Sequence, residues 1–139
     1  MKINAYLMFD GQCEAAFKFY AECLGGKLER LMRYAEAPDN ACGELPAEYQ
    51  QRIMHACLTV GDQLLMASDT AQPDAHDGIK GCSISLNVDS IAEAERLFAA
   101  LSEQGQVQMP MQETFWAARF GMLSDQFGVS WMVNCEQAG

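Results

Sequence analysis

Apolar and polar positions along the chain alternate between extended and helical spacing. An extended apolar run covers Ile3 to Phe9, and Leu28 to Tyr34 forms a second candidate strand. Between them, apolar residues recur at intervals of three and four, which predicts a helix whose buried stripe is Ala15, Ala16, Phe19, Tyr20, Cys23 and Leu24. Gly25-Gly26 ends this helix, because glycine tolerates the left-handed conformation of a C-cap.

A hairpin follows a long polar connection. Glu36 to Arg52 contains two prolines, a glycine and several polar residues, which is typical of a loop or a short helical turn. Ile53 to Val60 and Gln63 to Ser68 are rich in strand-forming residues, and Gly61-Asp62 between them suits a tight turn. The first half of the chain is therefore predicted as β-α-β-β-β.

The same order then returns. The strand from Cys82 to Val88 alternates apolar and polar residues strictly, and Ser90 with Glu93 has the spacing of a capping box at the start of a helix. The buried stripe of this helix is predicted as Ile91, Ala94, Leu97, Phe98 and Leu101, with Gly105 after it. The remaining strands are Val107 to Met111, Phe115 to Leu123 and Val129 to Cys135.

The two halves can be superimposed as sequences. When Asp10 is placed on Asp89, Phe19 meets Phe98 and Gly26 meets Gly105, which indicates an internal duplication. We expect one α+β domain over residues 1–139, built from a first module at about 1–70, a linker at about 70–80 and a second module at about 81–136. A chain of 139 residues, half of them hydrophobic, suits a single domain of this kind.

Charge and segment length exclude several classes of partner. Nineteen acidic residues against nine basic ones give a net charge of -10, which disfavours nucleic acid and anionic membrane surfaces. No window approaches the roughly 20 apolar residues of a membrane span, and no signal-peptide pattern follows Lys2. The expected location is the cytoplasm. The six cysteines show no Cys-x-x-Cys pair and no zinc-finger spacing, so we interpret them as reduced, small apolar side chains.

Several local motifs are specific enough to suggest a family. The second half contains an FW-x-x-R-x-G element at Phe115 to Gly121 and a D-x-F-G element at Asp125 to Gly128. The other segments that carry the likeness are 11–20, 53–56, 65–69 and 129–131. With the duplicated β-α-β-β-β order, they resemble the vicinal oxygen chelate superfamily of glyoxalase I, extradiol dioxygenases and bleomycin-resistance proteins, in its PhnB-like branch. That branch is often labelled demethylubiquinone-methyltransferase-like, but this chain has no glycine-rich loop suited to such a cofactor.

The resemblance implies curved mixed sheets around a concave cavity, with the helices outside. Strand alternation then leaves Ser83, Ser85 and Asn87 to line the cavity. Pairing across Gly61-Asp62 places His55, Cys57 and Thr59 on the same face as Leu64, Met66 and Ser68. In the last hairpin, Arg119 and Gly121 are expected to share a face with Ser130, Met132 and Asn134.

Metal-dependent members of this superfamily carry His or Glu on four strands, and this sequence departs from that pattern. At the matching places it has Asn4 or Ala5, Met66, Ser83 and Met132. Thioethers and hydroxyls are poor ligands for Mg, Mn, Fe or Zn, so we expect neither a resident divalent metal nor another cofactor.

Two side chains stand out as candidates for directed chemistry. His55 is a general base, a ligand-orienting donor, or a structural histidine bonded across the ladder to Ser68. Arg119 is a bidentate partner for a ligand anion, an ion-pair partner of Glu113 or another acid, or a contact at a dimer interface. Cys57 has no activating cation nearby except His55, so a nucleophilic role is disfavoured.

The sequence therefore supports two classes of function. One is a dimeric module that binds a small organic molecule without catalysis, at a site formed by His55, Met66, Ser83, Arg119 and Met132, with Glu36 to Arg52 as a lid. The other is a lyase, isomerase or dioxygenase of the same superfamily that uses His55 or an atypical metal site. A homodimer is expected because two-fold pairing is the commonest solution for such half-barrels.

Overall fold

A four-stranded mixed sheet with a twelve-residue helix occurs in each half of the chain. The computed structural model describes residues 1–37, 45–71 and 77–136. It divides into two units, Met1–Ile79 and Lys80–Gly139, and the boundary falls inside the segment predicted as a linker. We refer to these units as the first and second modules.

The first module follows the predicted order, with an irregular insertion after its second strand. Its strands are β1 (Tyr6–Phe9), β2 (Lys27–Arg33), β3 (Ile53–Val60) and β4 (Gln63–Asp69), and its helices are α1 (Cys13–Leu24) and the short α2 (Ala47–Gln50) after a 3-10 turn at Tyr34–Glu36. The sheet order is β1-β4-β3-β2, with β1 parallel to β4 and the other pairs antiparallel. The first strand begins three residues later than predicted.

The second module repeats this topology. Its strands are β5 (Ile84–Val88), β6 (Gln106–Gln112), β7 (Ala117–Ser124) and β8 (Ser130–Glu136), and its helix is α3 (Ile91–Ser102). The sheet order is β5-β8-β7-β6, and β5 is parallel to β8. The register that places Asp10 on Asp89 also places the ends of β2 on the ends of β6. The α+β fold of two tandem β-α-β-β-β modules is confirmed.

The buried stripe of α1 differs from the prediction. It runs through Cys13, Ala16, Phe17, Tyr20 and Cys23, whereas Ala15 is exposed and Phe19 only half-buried. Phe17 packs edge-on against Phe9 of β1, with ring centroids 6.4 Å apart. Both Phe17 and Phe19 are apolar, so the pattern alone could not choose between them, and contact with the sheet decides which one is buried.

The helix of the second module agrees more closely with its pattern. Ala94, Leu97, Phe98 and Leu101 are buried as expected, although Ile91 is 41% exposed. The Ser90 hydroxyl accepts a hydrogen bond from the Glu93 N–H at 3.1 Å, so the predicted N-cap is confirmed.

A buried carboxylate takes the place of this cap in the first module. Gln12, the N-cap residue of α1, makes no side-chain cap hydrogen bond. Asp69, at the end of β4 and 1% exposed, accepts hydrogen bonds from the Gly11 and Cys13 N–H groups at 2.9 and 3.0 Å. Its second oxygen accepts from the Ile53 N–H at 2.9 Å. One side chain therefore joins the start of α1, the start of β3 and the end of β4.

We expect Asp69→Asn to lower the free energy of unfolding by at least about 2 kcal/mol. The amide loses the charge that strengthens these bonds and turns an N–H group toward backbone donors. Asp62→Asn is the matched control, because Asp62 is exposed in the hairpin turn and should change stability by less than about 0.5 kcal/mol. Urea unfolding of both variants measures the difference, and equal midpoints would contradict the role of Asp69.

Glycine follows each long helix because the chain there passes close to the neighbouring hairpin. A Cβ at Gly26 would lie 2.7 Å from the Thr59 carbonyl oxygen, and a Cβ at Gly105 would meet the Ser124 carbonyl oxygen and lie 3.0 Å from Cα of Asp125. Backbone atoms cannot move aside as a flexible side chain can. The matched glycines of the sequence repeat thus share one steric cause.

Neighbouring substitutions after α3 should have opposite effects. Gly105→Ala is expected to cost about 2 kcal/mol or more, since the methyl group collides with the backbone. Gln104→Gly should be neutral or stabilise by up to about 1 kcal/mol, because Gln104 has a left-handed φ of 58°. Thermal unfolding compares the two, and an unchanged melting temperature for Gly105→Ala would refute the close approach.

Candidate functional site

The face of the first sheet that points away from α1 carries aromatic, thioether and imidazole side chains. Cys57 pairs with Met66 and Thr59 with Leu64 across β3 and β4, so the predicted hairpin register is confirmed. The alternate residues of these strands, such as Ala56, Leu58 and Ala67, point to the other face of the sheet and are fully buried in the core. We call the first set the open face, which includes Tyr6, Met8, Met32, His55, Cys57, Met66 and Ser68.

Large apolar groups on the open face remain in contact with solvent. Tyr6 is 45%, Met8 44% and Met32 38% exposed. Met32 pairs with His55 across β2 and β3, and Tyr6 pairs with Met66 across β1 and β4. The residue of β1 beside Met66 is therefore Tyr6, and Asn4 and Ala5, which match the superfamily's ligand position, precede β1.

His55 belongs to a chain of hydrogen bonds across three strands. Its Nδ1 lies 3.2 Å from the Tyr6 hydroxyl, which also contacts the Ser68 hydroxyl closely. Ser68 donates in turn to the Met54 carbonyl oxygen at 2.7 Å. One of the two interpretations of His55 from the sequence paired it directly with Ser68, but the Tyr6 hydroxyl lies between them. Sequence reasoning missed Tyr6 because its place depends on the parallel pairing of β1 with β4.

The cysteines differ in chemical environment. Cys13 is fully buried at the start of α1, and burial, together with the nearby Asp69 carboxylate, raises the pKa of its thiol far above the ordinary value. A thiol that stays protonated is a weak nucleophile. Cys57 is half-buried on the open face, and Cys82 is exposed. All five cysteines in the described part of the chain are free thiols.

In the second module, the structure separates the predicted site residues. Met132 pairs with Met122 in β7 and with Ser85 in β5. Ser83 is exposed and lies just before β5, which begins at Ile84 and not at Cys82 as predicted. Met132 therefore shares its sheet face with Ser85, while Ser83 lies outside the strand.

The predicted face of Arg119 was wrong. Arg119 pairs with Cys135, and Gly121 pairs with Val133, so both lie on the sheet face that α3 covers, opposite Met132. The Arg119 Nε lies 3.5 Å from Glu95 of α3, and its Nη1 donates to the Ala118 carbonyl oxygen at 2.7 Å. Its acidic partner is thus Glu95 rather than Glu113. Arg119 and Met132 do not converge on one ligand.

The D-x-F-G motif explains this change of face. Ser124 pairs with Ser130, so five residues connect the two strands. A connection with an even number of residues would place Arg119 on the same sheet face as Met132, whereas an odd number places it on the opposite face. Asp125 is buried and accepts hydrogen bonds from the Phe127 and Val129 N–H groups at 2.8 and 3.0 Å. Its other oxygen accepts from Trp131 Nε1 at 2.8 Å. The motif is a structural turn, and the Asp125 carboxylate is fully occupied by it.

The two ends of the predicted lid are held against the first module. Just before the segment, the Tyr34 hydroxyl donates to the Asp69 carbonyl oxygen at 2.7 Å, and at its end the Arg52 guanidinium donates to the Asp10 carboxylate at 2.7 Å. Residues 38–44 of this segment lie outside the described ranges. A lid role for Glu36 to Arg52 stays a prediction.

The donor atoms of the open face do not suit a hard divalent metal. They comprise one imidazole, one thiol, a phenol, a hydroxyl and thioethers, with no carboxylate, whereas Mg, Mn, Fe and Zn prefer several strong nitrogen, oxygen or thiolate ligands. Within residues 1–37, 45–71 and 77–136, no three His, Cys, Asp or Glu side chains are grouped as a metal site. The open face therefore does not fit a metal of this kind.

Comparison with known proteins agrees with this architecture. The family model of the glyoxalase/bleomycin resistance protein/dioxygenase superfamily matches residues 2–133. Protein YjdN of Escherichia coli (strain K12) is 34% identical over 96% of this chain and 95% of its own length. Among solved structures, protein PA1353 from Pseudomonas aeruginosa is 55% identical, with a TM-score of 0.89 over 98% of each chain.

The two tandem modules and the family match define a glyoxalase-type fold, and the chain belongs to the glyoxalase/bleomycin resistance protein/dioxygenase superfamily. It is also similar to the PhnB protein from Bacillus cereus, which is 25% identical and has a TM-score of 0.77 over 97% of this chain and 99% of that one. The likeness to the PhnB-like branch read from the motifs is confirmed. No helix in the described residues is long and apolar enough to cross a membrane.

Proposed function

We propose that the protein binds a small organic molecule on the open face of the first module, without a resident metal. One observation carries this proposal: aromatic and thioether side chains stay partly exposed around a histidine that is fixed by hydrogen bonds. Surfaces of this kind combine apolar contact area with a few directed polar groups, as ligand sites do. Thioethers also adapt to ligands of different shape.

Of the residues predicted for the ligand, His55 and Met66 support the proposal most directly. Both lie on the open face, where Tyr6 adds an aromatic ring and a hydroxyl. Ser83 and Met132 belong to the second module and stay predictions. Arg119 is no longer part of the proposed site, because it lies on the helix-covered face of its sheet and pairs with Glu95.

An enzyme of the same superfamily is the second candidate, and the fixed His55 ring favours it. A histidine whose orientation is set by a neighbour can act as a general base without first being ordered. The two candidates differ in what His55 must do. Binding requires contact area and a hydrogen bond, whereas catalysis requires turnover that disappears with the imidazole.

A thermal-shift screen of small organic compounds, combined with elemental analysis, tests the proposed function. We expect hits to raise the melting temperature of protein that holds well under one divalent metal per chain. Met32→Gln should weaken a hit about fivefold, because a polar group replaces apolar contact area on the open face. His55→Ala should also weaken it.

Val107→Gln is the matched control for Met32→Gln. Val107 is 51% exposed on β6, in the other module, so the same loss of apolar surface should leave ligand affinity unchanged. Equal effects of the two variants would place the ligand elsewhere. One equivalent of Zn, Mn, Fe or Ni that disappears in His55→Ala would contradict the metal-free proposal and favour the enzyme.

We also propose that the protein is a homodimer, with the aromatic residues before β7 at the contact. The sequence assigned Phe115 and Trp116 to a strand, but both precede β7 and are 91% and 47% exposed. Their rings pack edge to face at 4.8 Å, and Trp116 packs on Phe120 at 5.3 Å. Preordered aromatic side chains are favoured as interface anchors, and a second copy buries the same patch twice.

Light scattering is expected to give a dimer mass that Phe115→Ser shifts toward the monomer. Ile91→Ser is the control, since Ile91 is an exposed apolar residue at the start of α3 and lies outside the aromatic patch. A monomer for the unmodified protein at micromolar concentration would refute the homodimer. A dimer unaffected by Phe115→Ser would move the contact to another surface.

A further inference from the structure

We infer that Tyr6 and Ser68 hold neutral His55 as its Nδ1–H tautomer, so that Nε2 is a hydrogen-bond acceptor on the open face. The matching ligand is a small, largely apolar molecule with a phenolic or other weakly acidic hydroxyl group. The assignment of this ligand rests on the proposed function, whereas the assignment of the tautomer does not.

The direction of the hydrogen-bond chain follows from counting protons. A carbonyl oxygen can only accept, so the single hydroxyl proton of Ser68 is committed to the Met54 carbonyl at 2.7 Å. The close contact between the Ser68 and Tyr6 hydroxyls then requires Tyr6 to donate its own proton. With that proton used, Nδ1 of His55 must donate to the Tyr6 oxygen across 3.2 Å.

A neutral imidazole has one N–H group, so a proton on Nδ1 leaves a lone pair on Nε2. None of the described residues forms a hydrogen bond with Nε2. His55 is only half-buried, and Nε2 is not among the buried side-chain atoms that lack a partner in the described part of the chain. The chain of hydrogen bonds thus presents an acceptor to solvent, and to any ligand that covers the open face.

The surroundings of His55 select the kind of donor. Met32 lies beside it on β2, and the Tyr6 ring centre is 6.0 Å from its own, so the ligand body meets mainly apolar groups. Arg30 pairs with Cys57 in the neighbouring position of β2 and β3, which adds a permanent positive charge near this part of the sheet. An acceptor nitrogen near a cation favours a hydroxyl with some acidity over a cationic ammonium group.

Nitrogen NMR of the histidine ring in the free protein tests the tautomer directly. At a pH well above that of imidazole protonation, we expect a protonated Nδ1 and an unprotonated Nε2. Ser68→Ala should reverse this result, because the Tyr6 hydroxyl loses its acceptor and donates to Nδ1 instead, which sends the ring proton to Nε2. A purely structural role of Ser68 would leave the tautomer unchanged.

Two further variants complete this test. Tyr6→Phe removes the acceptor for Nδ1–H and should return His55 to the tautomer mixture of a free imidazole. Ser102→Ala, at the end of α3, makes the same chemical change outside the chain of hydrogen bonds and should leave His55 as it is. An Nε2–H tautomer in the unmodified protein, or no change in Ser68→Ala, would overturn the inference.

Phenol and anisole serve as probes of the acceptor, since they differ chiefly in one hydroxyl proton. Phenol should shift the Nε2 resonance and the methyl signals of Met32 and Met66, and it should bind at least about fivefold more tightly than anisole. Equal affinities would overturn the acceptor role even if the tautomer is correct. If neither probe moves the methionine methyls, the proposed function of the open face fails, while the tautomer result stands by itself.

Discussion

The Asp69 carboxylate is the constraint on which the first module depends. It lies at the end of β4 and accepts backbone hydrogen bonds from the start of α1 and the start of β3. Since successive residues of a strand point to opposite faces, Asp69 faces the core while its neighbour Ser68 faces the open side of the sheet. Fixing Asp69 therefore also fixes the hydroxyl that orients Tyr6 and, through it, His55.

In the second module, other side chains accept the backbone hydrogen bonds at the start of the helix and in the last turn. Ser90 caps α3, and Asp125 closes the turn between β7 and β8 by accepting two backbone N–H groups and the Trp131 indole N–H. The burial of Asp125 is stabilising because each of its oxygens has a donor. The connection it shapes determines which face of β7 looks toward α3. Arg119 consequently meets Glu95 on that face.

The residues of the proposed site suit apolar contact with an organic molecule better than coordination of a metal ion. Met32 and Met66 offer thioethers, which bind hard cations weakly but fill irregular apolar spaces well. His55 brings one acceptor nitrogen into this environment. The arrangement explains how a member of a superfamily that includes dioxygenases and resistance proteins could recognise an organic molecule through apolar area and one hydrogen bond.

The sequence alone determined the order of elements, the duplication and the pairing across Gly61-Asp62, because these depend on local periodicity and on a two-residue turn. It did not determine which of Phe17 and Phe19 is buried, or the face of Arg119, because each depends on contacts with a distant element or on the length of an irregular turn. The role of Tyr6 at the candidate site could not be predicted from the sequence for the same reason. Its hydroxyl meets His55 and Ser68 only through the parallel pairing of β1 with β4, which no local pattern in the sequence encodes.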